Sequence, residues 1–475
     1  MDSKKIVNGL KWTTLQYAVE TFFRFSIKLL LAKILFANEF GLIGMASVFI
    51  AVAGAASELG MSSALIQIKD DKIAEEKYPT AFWTGIFWGI FIFLIMTFIV
   101  APLSASFYRE PILSKLLPVL SLGILIRPLA MIHTVILTRV MNFKIIAKVN
   151  NIAAIVAGVI ALVSAYFNFG VWSLAINNVL AVLLTIPLFF LFTKWKPILE
   201  WNKTHFNEIF GFGAYSTGTS LFGAIIYNID NLMIGKFLGA TMLGNYTLSF
   251  SLTEQLRQVV SNILNKVMYP VFGKFQHDKE KLQQYFLKIL YLNALIIFPI
   301  MVFFLIFAKK VILVFFGKEW ELAIIPLQIL SVAMMFHLLV NSFNSLIKAI
   351  GKPKLEMKIV IFLTLFVLIP ALYIGIKYYG ILGATYAILL NKVSWTIVGL
   401  IVLKNEIGLP LYSVFNTIKW ILLAVVISSF FVLFFDYYLE IHNFFVHSII
   451  FFICYFVIVY KKEMSKINLI LKKIM

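Results

Sequence analysis

Nine ionisable residues lie inside the long apolar runs of this 475-residue chain, and their side chains are the ones that could do chemistry there. A charged side chain that faces lipid at the centre of a bilayer costs roughly 2.5 to 3.5 kcal/mol. We therefore expect these residues to face a polar cavity or an opposite charge. The basic ones are Arg24, Lys28, Arg127, Arg257 and Lys392, and the acidic ones are Glu20, Glu58, Asp230 and Glu254.

The three arginines lie near the midpoints of their apolar runs. A guanidinium group stays charged and donates in a planar fork, which matches the oxygens of a diphosphate. We interpret Arg24, Arg127 and Arg257 as candidate ligands of an anionic head group. The alternative is structural pairing of Glu20 with Arg24 and of Glu254 with Arg257. Lys28 and Lys392 are cavity candidates as well, with snorkelling or pairing as the alternative.

Glu20, Arg24 and Lys28 recur at every fourth residue, so they share one stripe of the first helix. We interpret this stripe as facing a cavity. The acidic residues have a second interpretation, because a carboxylate that exchanges a proton or a sodium ion can favour one transport state over another. Glu58 and Asp230 are the main candidates for such coupling, and structural pairing is the alternative for all four acids.

Motifs of known enzymes are missing from the sequence. It contains no Walker A loop, no nucleophile elbow and no His-Glu-x-x-His motif, and its single cysteine is Cys454. A disulfide within the chain or a cysteine-based metal site is therefore excluded. We predict a protein that is not an enzyme and that needs no cofactor apart from a possible coupling ion.

The composition is that of a membrane protein. Hydrophobic residues make up 61% of the chain and charged residues 13%, and the mean hydropathy is +0.94. Ordinary soluble domains are roughly half apolar and about a quarter charged. The apolar residues come in blocks of about twenty, which is the length of a transmembrane helix. We count about fourteen such blocks, from residues 10–36 to residues 443–460, and we predict an all-α integral membrane protein.

The distribution of basic residues predicts the topology. If both termini are cytoplasmic, 27 Lys and Arg residues lie on the cytoplasmic side and 8 on the other. An excess of this kind marks cytoplasmic loops. The formal charge of +19 is therefore explained by topology, and we expect no nucleic-acid partner.

An internal repeat appears when the chain is shifted by 203 residues. Five of the thirteen positions between 29 and 41 are then identical. The matched pairs are Leu29 with Leu232, Lys33 with Lys236, Leu35 with Leu238, Ala37 with Ala240, and Gly41 with Gly244. With a small gap, Gly170 also aligns with Gly380. Six helices per repeat give both copies the same orientation, related by an axis along the membrane normal.

This repeat predicts the domain organisation. Residues 1–195 form an N-terminal six-helix bundle, residues 196–208 a cytoplasmic linker, and residues 209–403 a C-terminal six-helix bundle. Residues 404–475 add two transmembrane helices and a basic cytoplasmic tail.

Several short motifs, in order along nearly the whole chain, carry a family resemblance. They are Phe40-Gly41-Leu42, the run from Glu58 to Ile66, the run from Phe169 to Leu174, the run from Asp230 to Gly235, and Leu243-Gly244-Asn245-Tyr246. With these motifs the chain resembles the polysaccharide-export (Wzx-type) flippases of the multidrug/oligosaccharidyl-lipid/polysaccharide superfamily. One departure is Glu58, where such proteins more often have aspartate.

The resemblance implies a fold like that of the multidrug exporters (MATE proteins) and a function as a flippase. The expected substrate is an oligosaccharide linked to a lipid of the undecaprenyl-pyrophosphate type, moved to the outer leaflet during synthesis of O-antigen, capsule or exopolysaccharide. The expected location is a bacterial inner or plasma membrane, where other polysaccharide assembly proteins are possible partners. The alternatives are an ion-coupled drug or small-cation exporter of the same superfamily and a membrane glycosyl polymerase.

Overall fold

The computed structural model describes the backbone of residues 21–438 and 443–474. Side chains are described over the same ranges, except for residues 212–216, 256, 259, 262–267, 436–438 and 463–474. Throughout these ranges the regular secondary structure is helical. The predicted all-α fold class is therefore confirmed.

The chain divides into two compact units, Met1–Thr247 and Leu248–Met475. The first unit contains α1 (21–34), α2 (Ala37–Ser57), α3 (Met61–Gln67), α4 (Asp71–Ile95), α5 (Ala101–Tyr108), α6 (Leu113–Ile126), α7 (Pro128–Arg139), α8 (Phe143–Tyr166), α9 (Val171–Leu183), α10 (Thr185–Phe192), α11 (Lys203–Tyr227) and the start of α12 (Ile229–Lys274). The boundary between the units falls inside α12. The domain limits at 195, 208 and 403 stay a prediction from the repeat.

The second unit begins with the rest of α12. It continues with α13 (Lys279–Phe315), a 3₁₀ segment (Lys318–Ala323), α14 (Ile324–Leu338), α15 (Phe343–Ala349), α16 (Pro353–Leu363), α17 (Ile369–Ile407), α18 (Leu411–Tyr438) and α19 (Phe444–Ile474). Short π-helical segments join α4 to α5 (Met96–Val100) and α16 to α17 (Thr364–Leu368).

The described residues contain ten helical segments that are long and apolar enough to cross a membrane. The pair of α6 and α7, bent by 41°, raises this number to eleven when it is taken as one span. Three of the ten segments contain a glycine with non-helical torsion angles, namely Gly60, Gly239 and Gly380. The chain is therefore a multi-pass membrane protein.

Two predicted spans are shorter than the helices that contain them. The span predicted at 80–106 is part of a continuous helical segment, Asp71–Tyr108. It begins earlier because the Asp70 side chain accepts hydrogen bonds from the amides of Lys72 and Ile73. The last helix, predicted to end near 460, continues to Ile474, so the basic segment after Lys461 is helical.

The second span is interrupted in its last third. Between α2 and α3, Leu59 and Gly60 have positive φ angles of 45° and 62°. A positive φ angle is energetically unfavourable for leucine, so surrounding contacts must stabilise this conformation. One such contact is a hydrogen bond of 2.9 Å from the indole nitrogen of Trp88 to the carbonyl oxygen of Ala56, at the end of α2. The span predicted at 40–65 is present as the segment Ala37–Gln67, and the break lies within it.

Two glycines that the repeat aligned have the same backbone conformation. Gly170, before α9, has φ 56° and ψ −132°, and Gly380, inside α17, has φ 57° and ψ −133°. L-residues with a side chain rarely adopt these angles, whereas glycine adopts them readily. The shared torsion angles support the alignment of the two copies.

A second pair of aligned positions forms a close helix crossing in the first unit. A Cβ atom on Gly41 of α2 would lie 1.7 Å from the carbonyl oxygen of Ala240, and one on Gly244 of α12 would lie 1.8 Å from that of Ala37. Each helix therefore contributes an alanine and, four residues later, a glycine to the same contact. Small residues at this spacing let transmembrane helices approach through their backbones. Because the contacting residues are equivalent in the repeat, the crossing is locally symmetric.

Candidate functional site

The most accessible charge pair in the first unit joins Glu58 to Arg127. A guanidinium nitrogen of Arg127 lies 2.8 Å from a carboxylate oxygen of Glu58. The two side chains are 56% and 46% exposed, respectively, so each can also contact another group. The sequence placed both residues inside spans but did not pair them with each other. The structure brings them together because each lies at a break in its helix.

The break at Arg127 depends on small residues of α4. Pro128 follows Arg127 directly and begins α7, since proline cannot continue the hydrogen bonding of α6. A Cβ on Gly85 would lie 3.2 Å from the Pro128 ring, and one on Gly89 would lie 3.3 Å from it. These glycines let the bent span pack closely against α4. The guanidinium group of Arg127 therefore lies at a bend that packs against α4.

Asp230 is buried and bound to Tyr246. The Tyr246 hydroxyl donates to a carboxylate oxygen of Asp230 at 2.5 Å, and the amide of Asn231 donates to the other at 2.8 Å. Asp230 is 6% exposed and Tyr246 is fully buried. Both residues belong to α12, on either side of its break at Gly239. These contacts fix the shape of the broken helix and fit the structural interpretation of Asp230.

Glu254 and Arg257 form a buried network in the second unit. Two nitrogens of Arg257 donate to the two carboxylate oxygens of Glu254 at 2.9 and 2.5 Å. A third donates to Asn341 at 2.7 Å, and Asn341 donates to Ser261 at 2.7 Å. The Arg257 side chain is 13% exposed and that of Glu254 is 6% exposed. The pairing predicted as the alternative is therefore present, and it occupies most of the guanidinium donors.

Lys392 lies in the same part of the second unit. It is half-buried, and its charge interacts with Glu254 and with His337. Asn341, which receives the bond from Arg257, lies between α14 and α15, where the helical path is interrupted. The structure thus brings Arg257, Lys392 and Glu254 together, with two cations and one anion.

The stripe predicted on the first helix is described only in part. Arg24 is exposed and Lys28 is half-buried on α1. Glu20 lies outside the described residues, so the Glu20 to Arg24 pairing stays a prediction.

Sequence reasoning did not identify the hydrogen-bond partners of these charges, Tyr246 for Asp230 and Asn341 for Arg257. Tyr246 lies in a motif that carries the family resemblance, whereas nothing in the local sequence distinguishes Asn341 from other polar residues in spans. Two further polar side chains are buried away from these charges: Trp320 is fully buried in the second unit, and His133 is buried and bonded to Thr193 in the first.

A polar clasp holds the ends of several helices in the first unit. We use this name for Arg139, Asp71, Lys77 and Glu208 with the contacts they make. Arg139 pairs with Asp71 and donates to the carbonyl oxygens of Leu65 and Ile68. Lys77 lies 2.5 Å from a carboxylate oxygen of Glu208 on α11. The clasp ties the ends of α3, α4, α7 and α11 to one another.

The clasp predicts a pH dependence of stability. A hydrogen bond from Lys77, with its charge, lowers the pKa of Glu208 below its ordinary value of 4.5. This carboxylate therefore stabilises the fold above pH 4.5, and the contribution is lost as the pH falls through the lowered pKa. We expect the melting temperature to fall less steeply below pH 4.5 in Glu208→Gln than in the wild type. Thermal melts between pH 3 and 7 test this, with the exposed Glu200→Gln as control, and equal slopes in all three proteins would contradict it.

The family described as "Polysaccharide biosynthesis protein" matches residues 30–326, which is more than half of the chain. The chain belongs to this family. It is 27% identical over 410 residues to the lipopolysaccharide biosynthesis protein WzxC of Escherichia coli, covering 85% of this chain and 82% of WzxC. It is 24% identical to the teichuronic acid biosynthesis protein TuaB of Bacillus subtilis, covering 74% and 73% of the two chains.

Solved structures of the superfamily share the fold of this family member. The lipid II flippase MurJ in an inward closed conformation superposes with a TM-score of 0.74 at 15% identity, covering 97% of this chain and 100% of MurJ. A multidrug resistance MATE transporter in an inward-facing conformation gives 0.66 at 16% identity, covering 83% and 94%. The predicted MATE-like fold is therefore confirmed.

Proposed function

We propose that this protein is a flippase that moves a lipid-pyrophosphate-linked oligosaccharide from the cytoplasmic to the outer leaflet by alternating access. Family membership gives the class, since a protein named for succinoglycan transport, ExoT of Rhizobium meliloti, is among its relatives. These relatives also favour a transporter over an enzyme. The observation that carries the proposal is Arg127, a half-exposed guanidinium in the middle of an apolar span.

A head-group role for Arg127 follows from its chemistry and its surroundings. A cation at this depth needs a polar partner, and Glu58 occupies only part of its donor fork. A diphosphate can accept the remaining N–H groups in a bidentate manner. Arg24 and Lys28 on α1 belong to the same proposal, whereas Arg257 has less capacity for substrate because its donors are occupied within its buried network. Lys392 stays a candidate in the second unit.

A coupling ion, either a proton or sodium, is part of the proposal. Among Glu58, Asp230 and Glu254, the acidic candidates that the structure describes, Glu58 is the one whose half-exposed carboxylate can exchange an ion without opening a buried network. Asp230 and Glu254 are held by buried partners, so we assign them the structural role.

Arg127→Lys tests the head-group role. Lysine keeps the charge but loses the fork, so we expect surface glycan in a complemented deletion strain to fall about tenfold, because a charged hydrogen bond is worth about 1.5–3 kcal/mol. Arg24→Lys should act in the same direction. Protein abundance and melting temperature should stay near wild type, because exposed pairs contribute about 0–1 kcal/mol. Normal glycan export in the Glu58→Gln/Arg127→Gln double variant would show that the pair is structural.

We further propose fourteen spans with both termini cytoplasmic, in a bacterial inner or plasma membrane. The support is the charge asymmetry, together with the breaks at Gly239 and Gly380, which each divide one long segment into two spans. A reporter enzyme that works only in the cytoplasm should be active when it is fused after Met475. Activity of a fused reporter that works only outside the cytoplasm would overturn the topology.

Deletion of the gene separates the flippase from its alternatives. The flippase predicts loss of surface polysaccharide and accumulation of the lipid-linked intermediate inside the cell. A drug exporter predicts unchanged polysaccharide and greater sensitivity to toxic cations. A polymerase predicts short glycans at the surface, because translocation would continue.

A further inference from the structure

An apolar cavity of about 350 Å³, partly open at the surface, lies in the first unit. It is lined by α2, by the end of α4 with the π-helical segment after it, and by residues around the start of α12. The lining includes Val48, Val52 and Ala56 of α2, Ile92 and Met96 from the α4 side, and Ile229 of α12. All its lining residues are apolar. A sugar or a diphosphate would lose its hydrogen bonds there, so the cavity suits a hydrocarbon.

The volume of the cavity sets the size of the hydrocarbon. An apolar cavity of about 150 Å³ in another protein holds one benzene ring of six carbons. By that measure this cavity holds roughly fourteen carbons. That is a segment of a lipid chain and not a whole lipid.

The cavity is surrounded by three irregular helix positions, which are two helix ends and one π-helical segment. Ala56 lies at the end of α2, just before the break at Leu59 and Gly60. Met96 begins the π-helical segment, and Ile229 begins α12 after α11 has ended. π-helical segments in longer helices occur frequently at functional sites. The coincidence of these three irregular positions around one space indicates a binding site.

The cavity is next to the Arg127 bend. On α4, Gly85 and Gly89 contact Pro128, the residue after Arg127. Ile92, three residues after Gly89 on the same helix face, lines the cavity. A rise of about 4.5 Å along the helix axis therefore separates the residue that contacts Pro128 from the residue that lines the cavity. An amphiphile with its charge at Arg127 would have its chain at the cavity.

We propose that this cavity holds the first prenyl units of a lipid diphosphate whose diphosphate binds Arg127. The inference rests on the proposed function and adds a site for the lipid part of the substrate. A prenyl chain is attached directly to the diphosphate, so it becomes apolar immediately beyond the phosphate. A phospholipid places glycerol and ester oxygens between its phosphate and its chains, and the lining has no polar side chain to bind them.

Photolabelling of the purified full-length protein tests the cavity. The probe is farnesyl diphosphate with a diazirine at the end of its fifteen-carbon chain. We expect labelled peptides from residues 48–56 and 92–100, and competition by unlabelled farnesyl diphosphate. The filled variant is Ala53→Leu/Ala56→Leu, since both alanines line the cavity. The matched control is Ala51→Leu/Ala55→Leu, on the same helix but away from the lining.

Labelling should fall at least about tenfold in the filled variant and stay near wild type in the control, because six added carbons occupy much of the space. Size-exclusion chromatography checks that the variants are folded. If either double variant misfolds, the single variants Ala56→Leu and Ala55→Leu are compared in the same way. Equal labelling in both variants, or equal competition by dioleoyl phosphatidylglycerol, would overturn the site.

The cavity and the proposed function can fail separately. If gene deletion removes surface glycan but labelling of the purified protein is equal in the filled and control variants, the cavity site is overturned and the flippase stands. If labelling falls in the filled variant but cells without this gene still export glycan, the cavity site stands and the flippase is overturned.

Discussion

Arg257→Ala is expected to destabilise the protein by about 3–5 kcal/mol, the usual cost of removing one partner of a buried ion pair. Glu254 is only 5% exposed and receives two hydrogen bonds from Arg257. Without the guanidinium, the buried carboxylate would keep the hydrogen bond from Gln258 and the nearby charge of Lys392, but it would lose the two bonds from Arg257. Asn341 would also lose its bond to Arg257. Thermal unfolding in detergent measures the effect.

The double variant Glu254→Gln/Arg257→Met provides the control, because it removes both charges and keeps similar volumes. We expect it to recover much of the lost stability. Arg127→Ala gives a second comparison, since that arginine is half-exposed and its loss should change stability by less than about 1 kcal/mol. Equal destabilisation by Arg257→Ala and by the double variant would contradict a buried structural pair.

Gly41→Ala is expected to lower stability by about 3 kcal/mol or more, because it adds an atom where the structure has no space. The new Cβ would lie 1.7 Å from the carbonyl oxygen of Ala240, whereas a carbon and a carbonyl oxygen in contact are usually about 3.3–3.6 Å apart. The helices would have to separate at this crossing. Gly244→Ala should have a similar effect, because its Cβ would lie 1.8 Å from the oxygen of Ala37.

Gly54→Ala is the matched control on the same helix, since a Cβ added there would meet no atom of another helix within 4 Å. It should be neutral or slightly stabilising. The double variant Gly41→Ala/Gly244→Ala should cost less than the sum of the single changes, because one separation of the helices relieves both clashes. A melting temperature of Gly41→Ala equal to that of Gly54→Ala would show that the crossing is not closely packed.

The helical fold could be predicted because bilayer thickness imposes a length on apolar runs. The repeat could also be predicted, since Gly41 and Gly170 each occupy a position where only a small or flexible residue fits. The break after Glu58 could not. Apolar composition favours a continuous helix there, and the break depends on Trp88, which is distant in sequence and donates to a freed carbonyl group.

The sequence predicted which ionisable residues form the candidate site, but it did not predict all of the ion pairs among them. A charged residue inside an apolar span is energetically costly in any fold, so such residues stand out in the sequence. For this reason Arg127 and Arg257 could both be identified. Their different surroundings, one half-exposed at a bend and one enclosed by Glu254 and Asn341, arise from tertiary contacts. Short sequence spacing suggested the Glu254 to Arg257 pair. No such spacing connects Glu58 to Arg127.

As proposed above, this protein moves a lipid-linked oligosaccharide across a bilayer with the help of Arg127. The most direct test is to reconstitute it into liposomes with a fluorescent prenyl-diphosphate-linked oligosaccharide and add a membrane-impermeant quencher. With the wild-type protein, quenching should extend beyond the outer-leaflet fraction, and Arg127→Lys should slow that phase about tenfold, as expected for a lost charged hydrogen bond. Quenching limited to the outer leaflet, as in protein-free liposomes, would contradict the claim.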